Sequence, residues 1–374
     1  MNVIIKEVST KKDLKQFVKF PNRLYKNNKY YVPQLVSAEM DTLDRDKNHA
    51  FEFCESKYWL AYDDNDNIVG RVAGIVNHAY NKKTGIKFAR FGWLDFIDDD
   101  SVVEALFNTV EQWAKDNHLE RMTGPLGLLE FDASGVLVEG FEEIPTAYGK
   151  YNFPYYEDHI LKLGYVKDTD WVEYRVDVPE VIPPIYARAA KMVAEKEKLH
   201  VAHTPTKKIV SRYFDQIFAL MNRAYSNIHG YSELSQGQID DLKAQFLPQI
   251  NMKFVAIIVD ENDKVVAFGV CLPSISKALQ KAHGKLFPFG FIHLLKALRK
   301  NDTLDTLLIS VEEEYKNKGL NAMIFDAISN GIRDYGIKYV ETTRELEDNH
   351  SVQNLWNKFD TRLHKRARCY IKNI

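Results

Sequence analysis

The sequence predicts an α/β protein with two domains, and three observations support this prediction. The chain has 374 residues, more than one typical domain, and 45% of them are hydrophobic, enough to form two cores. The segment 306–343 has the pattern strand, turn, helix, strand. A hairpin pattern occurs twice, at 58–75 and at 254–272, and its turn residues Asp63 and Asp260 are 197 positions apart. Because the elements that follow the two hairpins also correspond, we interpret the chain as a tandem duplication.

Composition excludes several classes of protein. A formal net charge of -2 argues against a nucleic-acid partner. The cysteines Cys54, Cys271 and Cys369 are far apart and odd in number, so neither a disulfide framework nor a zinc motif is expected. The N-terminus has no secretory pattern, and no run approaches the length of a membrane span. We therefore expect a soluble, cytoplasmic protein without a metal.

The predicted first domain covers residues 1–178. It begins with a strand and a helix, continues through the hairpin and a strand at 88–97, and ends with a strand at 171–178. A helix starts at Ser101 directly after three aspartates, 98–100. Carboxylates favour a helix N-terminus and repel phosphate there, so this domain is expected to have a degenerate cofactor site.

A long insertion, residues 124–165, separates corresponding elements of the first half. Loops of this length in a compact domain are usually functional. Tyr151, Tyr155 and Tyr156 cluster around Pro154. We hypothesise that these tyrosines line a substrate site; alternatively, they cover an apolar surface and keep their hydroxyls in water.

A predicted linker helix, residues 179–199, leads to the second domain, residues 200–374. Its segment 284–298 is both strongly apolar and basic, and has no counterpart in the first half. This segment can pack between the domains, line a channel for an acyl chain, or lie on a membrane surface. The basic cluster at 362–368 is interpreted as a solvated strand edge.

The segment 306–343 begins with the predicted strand Thr306 to Val311. A turn follows with Gly319 between two lysines, and then a helix that Gly336 ends before a strand at 338–343. A turn that leads into a helix exposes backbone N–H groups, and the helix dipole adds positive potential there. The turn is therefore a candidate anion site.

This arrangement resembles the pyrophosphate-binding segment of the GNAT acyltransferase superfamily, whose signature is Arg/Gln-x-x-Gly-x-Gly/Ala between a strand and a helix. Lys316, Gly319 and Asn321 occupy its three defined positions, and two of the three differ from the pattern. The chain resembles in particular the tandem-GNAT subgroup of bacterial acetyltransferase-like proteins. The stretches with this resemblance are 124–125, 135–141, 151–156, 284–290 and 314–320.

The resemblance implies a mixed α/β sheet in two tandem GNAT-like domains, with acetyl-CoA or a longer acyl-CoA bound by the second. Pantetheine would lie between the strand at 306–311 and that at 338–343, and a backbone N–H near Ser310 and Val311 would stabilise the oxyanion. The implied cofactor-binding residues are Ser310, Val311, Lys316, Asn317, Lys318, Gly319, Leu320, Asn321 and Asn349.

The reaction implied by the family is direct attack of an amine on the thioester. Glu341 or Glu312 is expected to be the general base, because a partly buried carboxylate can have a raised pKa. Either glutamate can instead have an ordinary role, Glu312 in solvent and Glu341 in an ion pair. Trp356 stands where family members have the tyrosine that protonates the thiolate, so Tyr370 or water is the expected acid.

The expected function is therefore acyl-CoA-dependent N-acyl transfer, with acetyl as the expected group, to an unidentified amine. One alternative is a long-chain lipid N-acyltransferase. Another is a catalytically silent protein that binds a ligand or partner. The expected partners are a small-molecule or lipid amine and, through 284–298, a membrane surface.

Overall fold

A computed structural model describes residues 1–204 and 206–374, and at position 351 the backbone only. One mixed sheet runs through both halves of the described chain, with helices on both faces. The strands are β1 (Ile4–Glu7), β2 (Cys54–Tyr62), β3 (Ile68–Asn77), β4 (Phe88–Phe96), β5 (Arg121–Gly124), β6 (Val136–Glu139), β7 (Val166–Asp177), β8 (His200–Val201), β9 (Val255–Val259), β10 (Val265–Pro273), β11 (Thr303–Val311), β12 (Tyr339–Glu341), β13 (Glu345–Leu346) and β14 (Asp360–Asn373). The helices are α1 (Lys11–Leu24), α2 (Val36–Thr42), α3 (His78–Thr84), α4 (Asp100–Asp116), α5 (Tyr155–Lys162), α6 (Ile185–Glu197), α7 (Lys207–Ala224), α8 (Gln236–Phe246), α9 (Ser276–Ala282), α10 (Gly290–Arg299), α11 (Leu320–Tyr335) and α12 (His350–Gln353).

The repeated hairpin forms in both halves with the same turn chemistry. In the β2–β3 turn the Oδ1 atom of Asp63 accepts the amide of Asn67 at 2.8 Å. In the β9–β10 turn the Oδ1 atom of Asp260 accepts the amide of Lys264 at 3.0 Å. An aspartate that binds its own turn backbone fixes the register of the two strands, so the two copies fold alike.

The two halves share one continuous sheet. The strand order is β1-β2-β3-β4-β5-β14-β7-β12-β11-β10-β9-β8. Strand β14 comes from the end of the chain, yet it pairs with β5 and β7 of the first half. Strand β7 pairs on its other edge with β12 of the second half. The interpretation of residues 362–368 as a solvated strand edge fits the exposed Arg362 but is wrong from His364 onward, because His364 and Lys365 are buried and β14 has neighbours on both sides from Arg366.

Each half has its own apolar core against the sheet. Helix α4 packs on β3, where Gly70 permits close approach; a Cβ at that position would lie 2.8 Å from the side chain of Leu106. Helix α11 packs on the second half, with Met323, Ile324 and Ile328 buried along one face. Full burial of one such side chain contributes about 1.5–3 kcal/mol. Within the described residues, no helix is long and apolar enough to cross a membrane.

Candidate functional site

The candidate site begins where two parallel strands of the second half diverge. Strand β11 pairs with β12 only from Thr303 opposite Tyr339 to Asp305 opposite Glu341. Strand β12 also pairs with β7, and beyond Glu341 the chain stays beside β7, where Glu345 pairs with Val172. Strand β11 meanwhile continues along β10 to Val311. From Thr306 onward, one edge of β11 therefore has no strand beside it, and a gap opens in the sheet.

A β-bulge lies at the start of this gap. Leu308 is opposite Val270, but Thr306 is opposite Cys271, so Leu307 is an extra residue in β11. Bulges redirect backbone groups and are common beside active sites. Farther along the open edge, the hydroxyl of Tyr225 donates to the carbonyl of Ile309 at 2.9 Å.

A cavity of about 930 Å³ occupies the gap and is lined from both faces of the sheet. Residues of α11 and the linker line one side, and residues of the insertion, α8 and the loop after α7 line the other. The volume lies at the upper end of the range for small-molecule sites. The aromatic and aliphatic side chains that line the cavity include Tyr148, Tyr225, Ile228, Phe246, Leu308, Ile324, Ile328 and Val340.

Two charged side chains from the segment between β12 and α12 line this apolar cavity. The indole N–H of Trp356 donates to Oε1 of Glu345 at 2.8 Å, while Oε2 is buried and has no hydrogen-bond partner in the described part of the chain. Burial raises the pKa of Glu345 to about 7. Arg344, the residue before it, is half-buried, with Nε 3.5 Å from Glu173 and without a hydrogen bond from Nε or Nη1 to any described residue. Both residues line the cavity, and the raised pKa makes Glu345 a candidate proton acceptor near neutral pH.

Two more carboxyl groups line the opposite side, on the insertion. Burial raises the pKa of Glu130 to about 7 and that of Asp132 to about 6. The Oδ2 atom of Asp132 accepts the amide of Leu129 at 2.9 Å. A carboxyl with a raised pKa in a cleft is a functional candidate, so this side of the cavity also has groups that can exchange protons near neutral pH.

The turn between β11 and α11 offers free backbone donors. The amides of Lys316 and Lys318 donate to carbonyls within the turn. Gly319 begins α11 with a φ of 86°, a left-handed conformation that favours glycine. No acceptor among the described residues binds the amides of four positions: Asn317, Gly319, Leu320 and Asn321. Four free donors at the start of a long helix form a site for an anion such as a phosphate.

The linker helix α6 packs against this turn. The ammonium of Lys318 lies 2.9 Å from the carboxylate of Glu197, and a Cβ at Gly319 would lie 3.2 Å from Val193. The ammonium of Lys316 pairs instead with Glu313, three residues earlier. The basic groups predicted at the turn are thus present, each with a carboxylate beside it.

The equivalent helix start in the first half has no comparable set of donors. Asp99 caps α4 and accepts the amides of Ser101 and Val102. Its neighbours Asp98 and Asp100 both contact the ring of His159, at 2.8 and 2.7 Å. This satisfied, acidic turn agrees with the expectation that the first half has no phosphate site.

The structure does not bring the three predicted catalytic residues together. Glu312 pairs with Arg223 at 2.6 Å, and Glu341 lies 3.7 Å from Lys365. The hydroxyl of Tyr370 donates to Glu157 in the first half at 2.9 Å. Within the described part of the chain, none of these three residues lines the cavity. Burial raises the pKa of Glu341.

Of the predicted binding residues, some line the cavity and others do not. Asn349 lines the cavity, whereas Ser310 and Val311 pair with β10 beside it. The predicted substrate tyrosines lie apart from the cavity, in the first half: the hydroxyl of Tyr155 donates to a backbone carbonyl, that of Tyr156 bonds that of Tyr25, and that of Tyr151 accepts from Asn28. They pack the first half, and Tyr148 is the insertion tyrosine on the cavity.

Sequence reasoning missed Glu345, Arg344, Glu130 and Asp132. Glu345 and Arg344 follow a three-residue strand in an irregular segment, where no periodicity tells which side chains point inward. Glu130 and Asp132 lie in the long insertion, whose length was the one available signal.

One mixed group of possible metal ligands lies beside the cavity. Single ligand atoms of Asp168, His229 and Cys369 all lie within 4.8 Å of one another. Burial raises the pKa of the Cys369 thiol to about 12, and burial lowers the pKa of His229. The hydroxyl of Thr123 already donates to Asp168 at 3.0 Å. The thiolate is the form that binds a metal, so a cation here would have to displace the proton of Cys369.

Comparison with known proteins identifies relatives over the full length. No protein-family model matches the chain. It is 28% identical to Protein YghO of Escherichia coli (strain K12), over 99% of this chain and 95% of that protein. It is 25% identical to the Bacterial ceramide synthase of Caulobacter vibrioides, over 98% of this chain and 96% of that protein.

Solved structures agree with the predicted fold. A tandem GNAT protein from the clavulanic acid biosynthesis pathway superposes with a TM-score of 0.59 at 11% identity, covering 100% of this chain and 98% of that one. A GCN5-related N-acetyltransferase from Sphaerobacter thermophilus superposes with a TM-score of 0.53 at 8% identity, covering 99% and 95%. The predicted fold class and resemblance are confirmed: this chain has the tandem GNAT fold.

Proposed function

We propose that this protein is an acyl-CoA-dependent N-acyltransferase whose second half binds the acyl donor. The observation that supports this most directly is the open edge of β11, which lines the cavity as far as Ile309 and is followed along the chain by the free amides of the turn at Gly319. A pyrophosphate at the turn, an extended pantetheine along the strand edge and a thioester at the bulge form one continuous path. We infer a reducing, cytoplasmic setting, because all three cysteines are buried free thiols.

In the proposed reaction the amine nitrogen attacks the thioester carbonyl carbon. The new C–N bond replaces the C–S bond, and the proton lost by nitrogen passes to Glu345. The thiolate takes a proton from water, and Glu345 returns its proton to the hydroxide that remains. Glu345 suits the role because a base works best when its pKa is near the operating pH, and its pKa is about 7. Trp356, which replaces the family tyrosine, orients Glu345 through its indole N–H.

Two observations favour a long acyl chain and a lipid amine over an acetyl group and a small amine. The cavity is large and mainly apolar on both sides of the gap. One relative over the full length is named as a ceramide synthase, and a ceramide is the amide of a fatty acid with a long-chain amino alcohol. We therefore propose N-acylation of a long-chain amine. We further propose that Arg344, which lines the cavity, binds a hydroxyl or carbonyl oxygen of such a substrate.

Calorimetric titration with CoA, acetyl-CoA and palmitoyl-CoA tests the proposal. The matched variants are Gly319→Asp and Gly319→Asn, which add side chains of the same shape but differ in charge. Both meet the same left-handed backbone, which asparagine tolerates, so their difference in affinity reports the phosphate contact. We expect palmitoyl-CoA to bind wild type most tightly and Gly319→Asp to bind at least roughly tenfold more weakly than Gly319→Asn.

Three other outcomes of the titration would contradict the proposal in whole or in part. Equal binding of CoA and palmitoyl-CoA would exclude an acyl channel and favour acetyl transfer. Equal loss in both variants would indicate strain at Gly319 rather than phosphate binding. Absence of binding by folded wild-type protein would overturn the transferase proposal and favour the silent, ligand-binding alternative.

A further inference from the structure

The segment from Lys285 to Lys300 presents apolar side chains to solvent. Phe287 and Phe289 are 71% and 68% exposed, and on α10 Leu295 and Ile292 are 48% and 36% exposed. Ile292 and Leu295 are three positions apart, so both lie on one side of the helix. A contiguous exposed apolar patch of this kind marks an interaction site in a soluble protein.

The other side of the segment is firmly attached to the fold. Leu294 packs against the cluster of Val32, Ala147 and Leu279. The carbonyl of Leu298 accepts the hydroxyl of Tyr335 at 2.6 Å. Helix α10 is therefore held in place while Ile292 and Leu295 on its outer face stay exposed, so the exposure follows from the packing itself.

The charge around this patch has one sign. The stretch from Pro273 to Asn301 contains six lysine and arginine residues and no acidic residue, in a chain whose formal net charge is -2. No salt bridge joins any of the six to a carboxylate within the described residues. Five of them flank the patch and are exposed: Lys281, Lys285, Lys296, Arg299 and Lys300.

We propose that this basic apolar face, residues 285–300, docks on the surface of an anionic lipid bilayer. Phenylalanine and leucine side chains enter the region between headgroups and acyl chains, and the surrounding cations attract the anionic headgroups. The ten residues of α10 are too few to span a bilayer, so the helix lies in the plane of the surface. An acidic protein partner would complement the charges, but charge pairing alone does not explain the exposure of Phe287 and Phe289.

The docking face is close to the candidate site. Ala147, which belongs to the cluster under Leu294, lies between Thr146 and Tyr148, and both of these line the cavity. A lipid amine in the bilayer would therefore reach the cavity over a short path. The docking proposal does not rest on the transferase proposal, because bilayer binding is measurable without an acyl donor.

Vesicle flotation of the full chain, without acyl-CoA, tests the proposal. The vesicles contain phosphatidylcholine alone, or phosphatidylcholine with one-third phosphatidylglycerol. We expect binding to the anionic vesicles at least roughly tenfold tighter than to the neutral ones, and weaker at high salt. Phe287→Ser with Phe289→Ser, and Lys296→Glu with Arg299→Glu, should each reduce binding at least roughly tenfold.

Matched pairs elsewhere on the surface control for general changes in polarity and charge. Val166→Ser with Met192→Ser removes exposed apolar side chains, and Lys11→Glu with Lys12→Glu reverses exposed charges, both outside the docking face. These controls should bind vesicles as wild type does. Absence of wild-type binding to anionic vesicles would overturn the proposal, and so would an equal loss in the control pairs. Binding to an acidic protein such as an acyl carrier protein, without vesicle binding, would assign the face to that class of partner instead.

Discussion

Glu345 and Glu341 illustrate how position, rather than residue type, determines a candidate base. Glu341 ends β12 and faces Lys365 and Arg175, which compensate its charge. Glu345 is only four residues later, but it lines the cavity, and its Oε2 atom has no hydrogen-bond partner among the described residues. A carboxylate outside an ion pair can accept a proton, whereas a carboxylate inside an ion-pair cluster cannot do so without breaking that cluster.

Replacement of Glu345 tests its role as a base. Glu345→Gln keeps the shape and the indole contact but cannot accept a proton, so we expect kcat to fall by roughly 10²–10⁴-fold with CoA binding unchanged. In wild type, kcat/KM should rise as the pH increases through about 7, because the carboxyl must lose its proton to act as a base. This step in the pH profile should disappear in the variant.

Glu341→Gln is the matched control. It should keep the pH step near 7, although it loses some stability because its partners remain charged. Loss of the pH step in Glu341→Gln, with its retention in Glu345→Gln, would identify the general base as Glu341, one of the two glutamates that the sequence suggested.

At the scale of elements, the local segment around Gly319 was predictable. The predicted strand at 306–311, the helix from Leu320 and its end at Gly336 agree with β11 and α11, because apolar periodicity and a glycine cap are local signals. The gap was not predictable in this way. It depends on where β11 separates from the chain that continues along β7, a non-local pairing that leaves no mark in the pattern of residues.

Because the cavity extends through the gap, we expect the residues on its far side to set the length of acyl chain that the protein accepts. Ile228, in the loop after α7, lines the cavity opposite α11. Ile228→Trp should shorten the space beyond the thioester. We expect kcat/KM for palmitoyl-CoA to fall at least roughly tenfold relative to that for acetyl-CoA, since pocket fit discriminates between chains by such factors.

Val201→Trp provides the control for this variant, because it adds the same ring on the exposed edge strand β8. Acetyl-CoA turnover serves as a second, internal control in both variants. If palmitoyl-CoA turnover by Ile228→Trp matched wild type, the acyl chain would have to lie elsewhere, and the far side of the cavity would be assigned to the amine.

At the scale of the whole molecule, the sequence predicts the duplication but not the exchange of strands. The repeated hairpins identify two halves, and the boundaries 1–178, 179–199 and 200–374 remain a prediction. Strand β14 lies in the second half by sequence, yet it runs along β7 from Asp360 opposite Asp177 to Ile371 opposite Val166. A duplicated sequence gives each half the same local pattern, so nothing local indicates which half a terminal strand will join.

This exchange predicts that the halves hold together without the linker. Val181 is 77% exposed, so a specific protease site introduced after it can be cleaved in the folded protein. We expect two bands on a denaturing gel but one peak at the full mass in native size-exclusion chromatography, because separation would leave β5 and β7 with unpaired edges and expose apolar surface.

Fragment 1–178 expressed alone gives the complementary measurement. It lacks β14, so the backbone groups of β5 and β7 that face this strand have no partners, and we expect an unfolded or aggregated product. Adding fragment 200–374 during refolding should restore the native complex, since it supplies the missing strand. Two cleaved fragments that separated under native conditions, each with a cooperative thermal transition, would show instead that the halves are independent domains and that β14 contributes little to their association.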